Sequence, residues 1–147
     1  MSALCLGLAG VVAAALAVPD SGFTLAWMHS VEKIRWEEHY VVHEDGLVLD
    51  RARVQGSGAG MEIPDDATFA DGFWTYHPKL PSLQPLRLTR SSYTRDYELC
   101  IQGRCESMTA LLGPPDARGD SAVELWSCRA NGATLPANTP RAPSTKD

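Results

Sequence analysis

Ile34-Arg35-Trp36-Glu37-Glu38-His39-Tyr40-Val41-Val42-His43-Glu44-Asp45-Gly46-Leu47-Val48-Leu49 is the stretch that decides the fold. Its even positions Ile34, Trp36, Tyr40 and Val42 are apolar or aromatic, while the odd positions Arg35, Glu37, His39 and His43 are polar. Side chains alternate across a strand, so the pattern is that of a strand with one core face and one wet face. Asp45-Gly46 then marks a hairpin. Two registers compete. A two-residue Asp45-Gly46 loop pairs Trp36 with Gln55 and Tyr40 with Arg51, which mixes apolar and charged groups on each face. A three-residue Glu44-Asp45-Gly46 loop pairs Val42 with Val48 and Trp36 with Val54, and sets Glu37 opposite Arg53. A slip of one residue moves every side chain to the other face, so the segregated register is expected.

Working outward, Phe23, Leu25 and Trp27 alternate with Thr24, Ala26 and Met28, which indicates a preceding strand. Further short strands are expected at residues 73–76, 86–89, 97–101 and 106–111, with 123–126 as an edge strand. Prolines 78, 81 and 85 punctuate the connection between the first two. Short strands with frequent turn signals point to an all-β fold, a small antiparallel sandwich or barrel-like domain. That domain is expected to span residues 22–128. From Asn131 onward Ala, Pro, Thr and Asn run without periodicity, so residues 129–147 are expected to be a disordered tail.

Residues 3–18 carry no charge and, apart from Cys5, no strong polar group. Such a run is short of the ~20 residues that span a bilayer as a helix. It reads as the apolar region of a signal peptide ending in Ala15-Leu16-Ala17, an A-x-A cleavage pattern, or else as an uncleaved anchor helix over 1–17. The domain is therefore expected outside the cytoplasm, periplasmic or held at the inner membrane. On that reading Cys5 leaves with the leader. Cys100 and Cys105 bracket a turn at Gln102-Gly103, where a two-residue loop sets them directly opposite each other and within disulfide reach. Cys128 is then an odd thiol.

The 147 residues argue for one domain, and the net charge of -5 with scattered Lys and Arg argues against nucleic acid as a partner. Candidate chemistry is sparse. Gly56-Ser57-Gly58-Ala59-Gly60 resembles a phosphate loop, but a Pro and two acids follow where a helix N-terminus is required. Its glycines, Gly58 and Gly60 among them, read as conformational devices. His29-Ser30-Val31-Glu32 is a dense polar cluster beside an apolar strand, with His29 as a possible base and Ser30 as a possible nucleophile. No third orienting group accompanies them, so no enzyme is expected. His39 and His43 share a strand face about 13 Å apart, too far to hold one ion, and neither a metal nor a cofactor is expected. Glu38 is the unusual residue. It shares the face of Trp36 and Tyr40, where a carboxylate must be paired, hydrogen-bonded or partly wet, and it reads either as a ligand-contacting acid in an aromatic-lined cleft or as a structural ion pair or core-edge residue.

His29-Ser30-Val31-Glu32-Lys33 with Trp36-Glu37-Glu38, then Gly56-Ser57-Gly58-Ala59-Gly60-Met61, then Ser92-Tyr93-Thr94 leading into Tyr97-Glu98-Leu99-Cys100, resemble the domain of unknown function family eighteen-fifty. The resemblance covers about residues 23–112. It implies a small exported or membrane-anchored bacterial protein associated with tripartite ATP-independent periplasmic (TRAP) transporters of the TAXI type. The implied role is accessory, by contact with the permease or its solute-binding protein; the alternative is a periplasmic small-ligand or metal-binding module. The resemblance supplies no catalytic residues. His29, Ser30, Glu32, Trp36, Glu38, Ser57, Gly58 and Gly60 stand as the candidate functional positions.

Overall fold

Period-two alternation is realised along most of the chain. The computed structural model describes residues 2–28, 33–56, 62–115 and 120–128. Its elements are β1 (Ser2–Leu8), β2 (Val11–Val18), β3 (Phe23–Met28), β4 (Arg35–His43), β5 (Gly46–Gln55), β6 (Thr68–Ala70), β7 (Phe73–Tyr76), β8 (Leu86–Ser91), β9 (Glu98–Ile101), β10 (Arg104–Ser107), the one-turn helix α1 (Met108–Leu112) and β11 (Asp120–Cys128). They form two antiparallel sheets, ordered β10-β9-β3-β4-β5-β7-β6 and β2-β1-β11-β8. The sheets pack face to face as a sandwich. Leu4, Leu6, Val18, Val123 and Leu125 from the smaller sheet meet Phe23, Leu25, Tyr40, Val42, Leu47, Leu49 and Leu99 from the larger one.

The uncharged N-terminal run corrects the expectation of a leader or anchor helix. It is a β-hairpin, turning at Ala9-Gly10, where both residues have positive φ. β1 lies inside its sheet, paired with β2 on one side and β11 on the other. Leu4 and Leu6 point into the core at 0% exposure, and Ala3 and Cys5, on the opposite face, are buried as well. A strand covered on both faces shows no alternation and reads as a continuous apolar run, which is why it resembles a signal sequence. Gly7 is required by a bulge in this hairpin: a Cβ there would lie 1.8 Å from the Val11 carbonyl oxygen.

The cysteine bookkeeping changes with it. Cys5 is bonded to Cys128, with Cα atoms 5.9 Å apart, so Cys5 belongs to the fold and Cys128 is not an odd thiol. The expected Cys100–Cys105 bond is present across the Gln102-Gly103 turn, with Ile101 paired to Arg104 inside it. β11 is likewise not an edge strand, since it runs between β1 and β8.

In the β4–β5 hairpin, Trp36 faces Val54 and Glu37 faces Arg53, as the segregated register requires. Nearer the turn the pairing shifts by one: Tyr40 faces Leu49, Val42 faces Leu47 rather than Val48, and the loop is Glu44-Asp45. Asp50 is the extra residue, a β-bulge. It reconciles Leu47 and Leu49, inward at odd positions, with Ala52 and Val54, inward at even ones.

The strand expected over 106–111 stops at Ser107, whose hydroxyl caps α1 by accepting from the Ala110 N–H at 3.0 Å. The cap turns Met108 into the core at 0% exposure. Behind α1, Arg90 and Asp96 form a buried bidentate pair at 3.1 and 2.6 Å. Arg90 also donates to the Gly113 carbonyl, and the Thr109 hydroxyl donates to Asp96. Burial alone would raise the Asp96 carboxyl. The hydrogen bonds from Arg90 and Thr109, the Arg90 charge and the Tyr97 N–H together hold it below its ordinary value.

Candidate functional site

The seven-stranded sheet outreaches the four-stranded sheet that covers it. Its inner face is sealed at Phe23, Leu25 and Tyr40, while Trp27, Trp36, Trp74, Tyr76 and Tyr97 are only half-buried. Trp36 therefore points inward as expected but is not a fully buried core residue. Register places these side chains in two neighbouring rows across the strands. One row runs Trp27, Trp36, Val54, Trp74, Phe69. The other runs Leu25, Glu38, Ala52, Tyr76.

Trp27 and Trp36 stack across strands with centroids 6.3 Å apart, and Tyr97 meets Trp27 edge-on at 5.7 Å. Glu38 sits half-buried beside this wall. Its Oε1 accepts from the Tyr40 hydroxyl at 2.7 Å, and no ion pair among the described residues includes it. Burial pushes its carboxyl above the ordinary value, against the opposing pull of the Tyr40 hydrogen bond. Tyr40, Tyr76 and Tyr97 are all pushed up, first by burial and then by the Glu38 charge. Ala52, between Glu38 and Tyr76 in this row, is buried. The Trp36 indole N–H is buried without a partner among the described residues.

Of the candidate positions, Trp36 and Glu38 are brought together here, on successive inward sites of β4. His29, Ser30, Glu32, Ser57, Gly58 and Gly60 lie outside the described residues. Trp27, Tyr76 and Tyr97 escape a reading of the sequence, because they reach Glu38 from three other parts of the chain. The one local hint is Ala52, a small residue in an otherwise large-residue strand.

The outer face of the same sheet carries an ion-pair ladder. Glu98 pairs with Arg35 at 3.2 Å, Arg35 with Glu37 at 2.8 Å, and Glu37 with Arg53 at 2.8 Å. Arg53 also lies 4.2 Å over the Phe73 ring. Beside the ladder is an open depression of about 310 Å³ lined by Thr24, Glu37, His39, Arg51, Arg53 and Thr75. His39 is fixed in it: one ring nitrogen donates to the Ser21 carbonyl, leaving the other to accept from the Thr24 hydroxyl at 2.8 Å. His77 is engaged elsewhere, with the Asp50 carbonyl at 3.1 Å. Among the described residues one cluster has metal-ligand spacing, Glu98 with Cys100 and Cys105, and its two sulfurs are already spent in a disulfide.

A third surface is the free edge of β2. Its sequence Val11-Val12-Ala13-Ala14-Ala15-Leu16-Ala17-Val18 has no charge, and Val11 is 71% exposed. Next to it a groove of about 350 Å³ opens between the sheets, lined by Leu16, Leu99, Ile101, Gln102, Arg104, Glu106 and Leu111.

These features define a disulfide-stapled β-sandwich with an uncharged edge strand and a row of half-buried aromatic side chains. Disulfides form and persist in oxidising compartments, and no helix among the described residues is long and apolar enough to cross a membrane. Residues 23–108 match the family model "Domain of unknown function (DUF1850)", and the chain belongs to that family. Neither a curated protein nor a solved structure matches it.

Proposed function

We propose that this protein is an extracytoplasmic accessory module of a membrane solute-uptake system of the TAXI-type TRAP class, acting by protein contact rather than by catalysis. The observation that carries the reading is the edge of β2. Edge strands are ordinarily blunted by Lys, Pro or a covering element. β2 has eight consecutive apolar residues and, among the described residues, pairs only with β1. Such an edge is a template for strand addition: main-chain hydrogen bonds supply affinity, and alternate side chains of the incoming strand drop into pockets. The adjoining groove, floored by Leu16, Leu99, Ile101 and Leu111, is placed to receive them. The two disulfides support an oxidising location, and family resemblance supports the transporter context.

Affinity purification of the tagged protein from native membranes, with mass spectrometry of the proteins captured alongside it, is the test. A TRAP permease or its solute-binding protein is expected, and Ala13→Lys or Ala15→Lys on the β2 edge should abolish its capture. Recovery of neither protein, or recovery indifferent to the Lys substitutions, refutes the reading.

A further inference from the structure

We propose that the depression on the outer face of the seven-stranded sheet binds one carboxylate group of a small polar acid, held by Arg51 and Arg53. The argument begins with charge. The chain as a whole carries a net charge of -5, yet this depression of about 310 Å³ sets two guanidiniums against a single carboxylate, Glu37. Glu37 is already matched on both oxygens, Oε1 by Arg53 and Oε2 by Arg35, each at 2.8 Å. It therefore acts as a buttress for Arg53 rather than as a free negative charge. The Phe73 ring lies 4.2 Å from the same guanidinium, so Arg53 is held from two sides before any ligand arrives.

Donors remain for an anion. A guanidinium presents five N–H groups. Among the described residues Arg53 spends one nitrogen on Glu37, and Arg51 spends one on its neighbour Asp50. The Arg51–Asp50 pair is half-exposed on both sides. Such a surface pair is worth little, so Arg51 can turn to a ligand. Strand pairing fixes the arrangement: Arg51 faces His39, and Arg53 lies between Glu37 and Thr75. Two residues apart on β5, the two arginines share one face about 7 Å apart at strand rise.

The chemistry of the lining selects the ligand. The planar fork of Arg matches a carboxylate through two parallel hydrogen bonds. Two cations against one paired acid leave one positive charge to be matched, which fits a monocarboxylate better than a phosphate dianion. A cation meets the guanidiniums head-on. Thr24, His39 and Thr75 present hydroxyls and an imidazole to the rest of the ligand rather than an apolar wall, so the acid should carry polar substituents. A volume of about 310 Å³ is at the lower end for small-molecule sites, ~300–1,000 Å³. It suits an acid of several carbons or a single acidic side chain.

The site lies on the sheet that does not contain β2, so the inference is independent of docking at that edge. Two sources carry the group: a free organic acid, or a Glu side chain of a protein partner. NMR titration and calorimetry on the full chain separate them. Lactate, gluconate and Nα-acetyl-glutamate amide are the probes, with sodium chloride and inorganic phosphate as comparators. Saturable shifts of the β4, β5 and β7 amides around the depression are expected with at least one carboxylate probe. Tighter binding of lactate or gluconate indicates a free acid. Tighter binding of the glutamate amide indicates a partner's acidic side chain. Arg51→Gln should weaken binding about fivefold, the loss of one charged contact at a half-exposed site, with the unfolding midpoint unchanged. Thr75→Val removes one hydroxyl at nearly constant shape, should also weaken binding, and serves if Arg51→Gln disturbs the fold. The proposal is overturned if no carboxylate probe binds saturably at the depression, if wild type and Arg51→Gln bind equally, or if phosphate binds more tightly than every carboxylate.

Discussion

Removing the Cys5–Cys128 bond should cost far more than removing the Cys100–Cys105 bond, although both close strand pairs in the same sandwich. The two differ in the length of chain they close: 123 residues of separation for the first and 5 for the second. In the chain-entropy account a cross-link restricts the unfolded chain, with a free energy that grows with the logarithm of the closed loop. It comes to about 5 kcal/mol for the long loop and about 2 kcal/mol for the short one. The native side adds to the difference. Cys5 is 1% exposed, so Cys5→Ala leaves a small void, whereas Cys105 is exposed. A gap of about 3 kcal/mol between the C5A/C128A and C100A/C105A variants is the expected result. Total stability of a domain is about 5–15 kcal/mol, so the first variant should stand near the edge of folding. Urea unfolding monitored by Trp fluorescence, without reductant, measures both. If C100A/C105A loses as much stability as C5A/C128A, the long-loop account is wrong.

Two further outcomes are expected of the scaffold. Arg90→Ala should destabilise by about 3–5 kcal/mol, because it strands the buried Asp96 carboxylate, and chemical denaturation at neutral pH checks this. Because the folded Asp96 carboxyl lies below its ordinary value, its contribution is complete above about pH 4 and is lost as pH falls through the folded value. Asp96→Asn should therefore lose stability at neutral pH and flatten the acid limb of a pH–stability profile; an unchanged limb would count against it. Gly7→Ala forces a Cβ onto the Val11 carbonyl at 1.8 Å, and should yield a protein with a lowered Tm and a disturbed β1–β2 pairing in amide hydrogen exchange.

Legibility in the sequence tracks the number of wet faces. β3, β4 and the far half of β5 have one face on the core and one in water, so Trp36, Tyr40, Glu37 and Arg53 take their places by alternation alone. β1 has neighbours on both edges and cover on both faces, and Leu4, Cys5 and Leu6 offer no period to read. With β1 read as a leader, β11 has no second partner and reads as an edge, and Cys128 has no bond. The shift at Asp50 is present as a change of parity between Leu47-Leu49 and Ala52-Val54, but a hairpin template without a bulge does not admit it. In the candidate site, Glu38 stands out as an acid on an apolar face. The rings around it, from Trp27, Tyr76 and Tyr97, converge only through non-local pairing, which no spacing along the chain encodes.

The bulge at Asp50 also bears on how this family can vary in length. Its side chain is exposed, its carbonyl is turned out of the ladder toward His77, and the pairs on either side, His39–Arg51 and Tyr40–Leu49, are complete without it. A relative that lacks this one residue keeps His39–Arg51 and Tyr40–Leu49 paired and both Leu49 and Ala52 inward, with the Glu44-Asp45 turn unchanged. A one-residue deletion in this hairpin should therefore fall at Asp50, with no matching change in the turn.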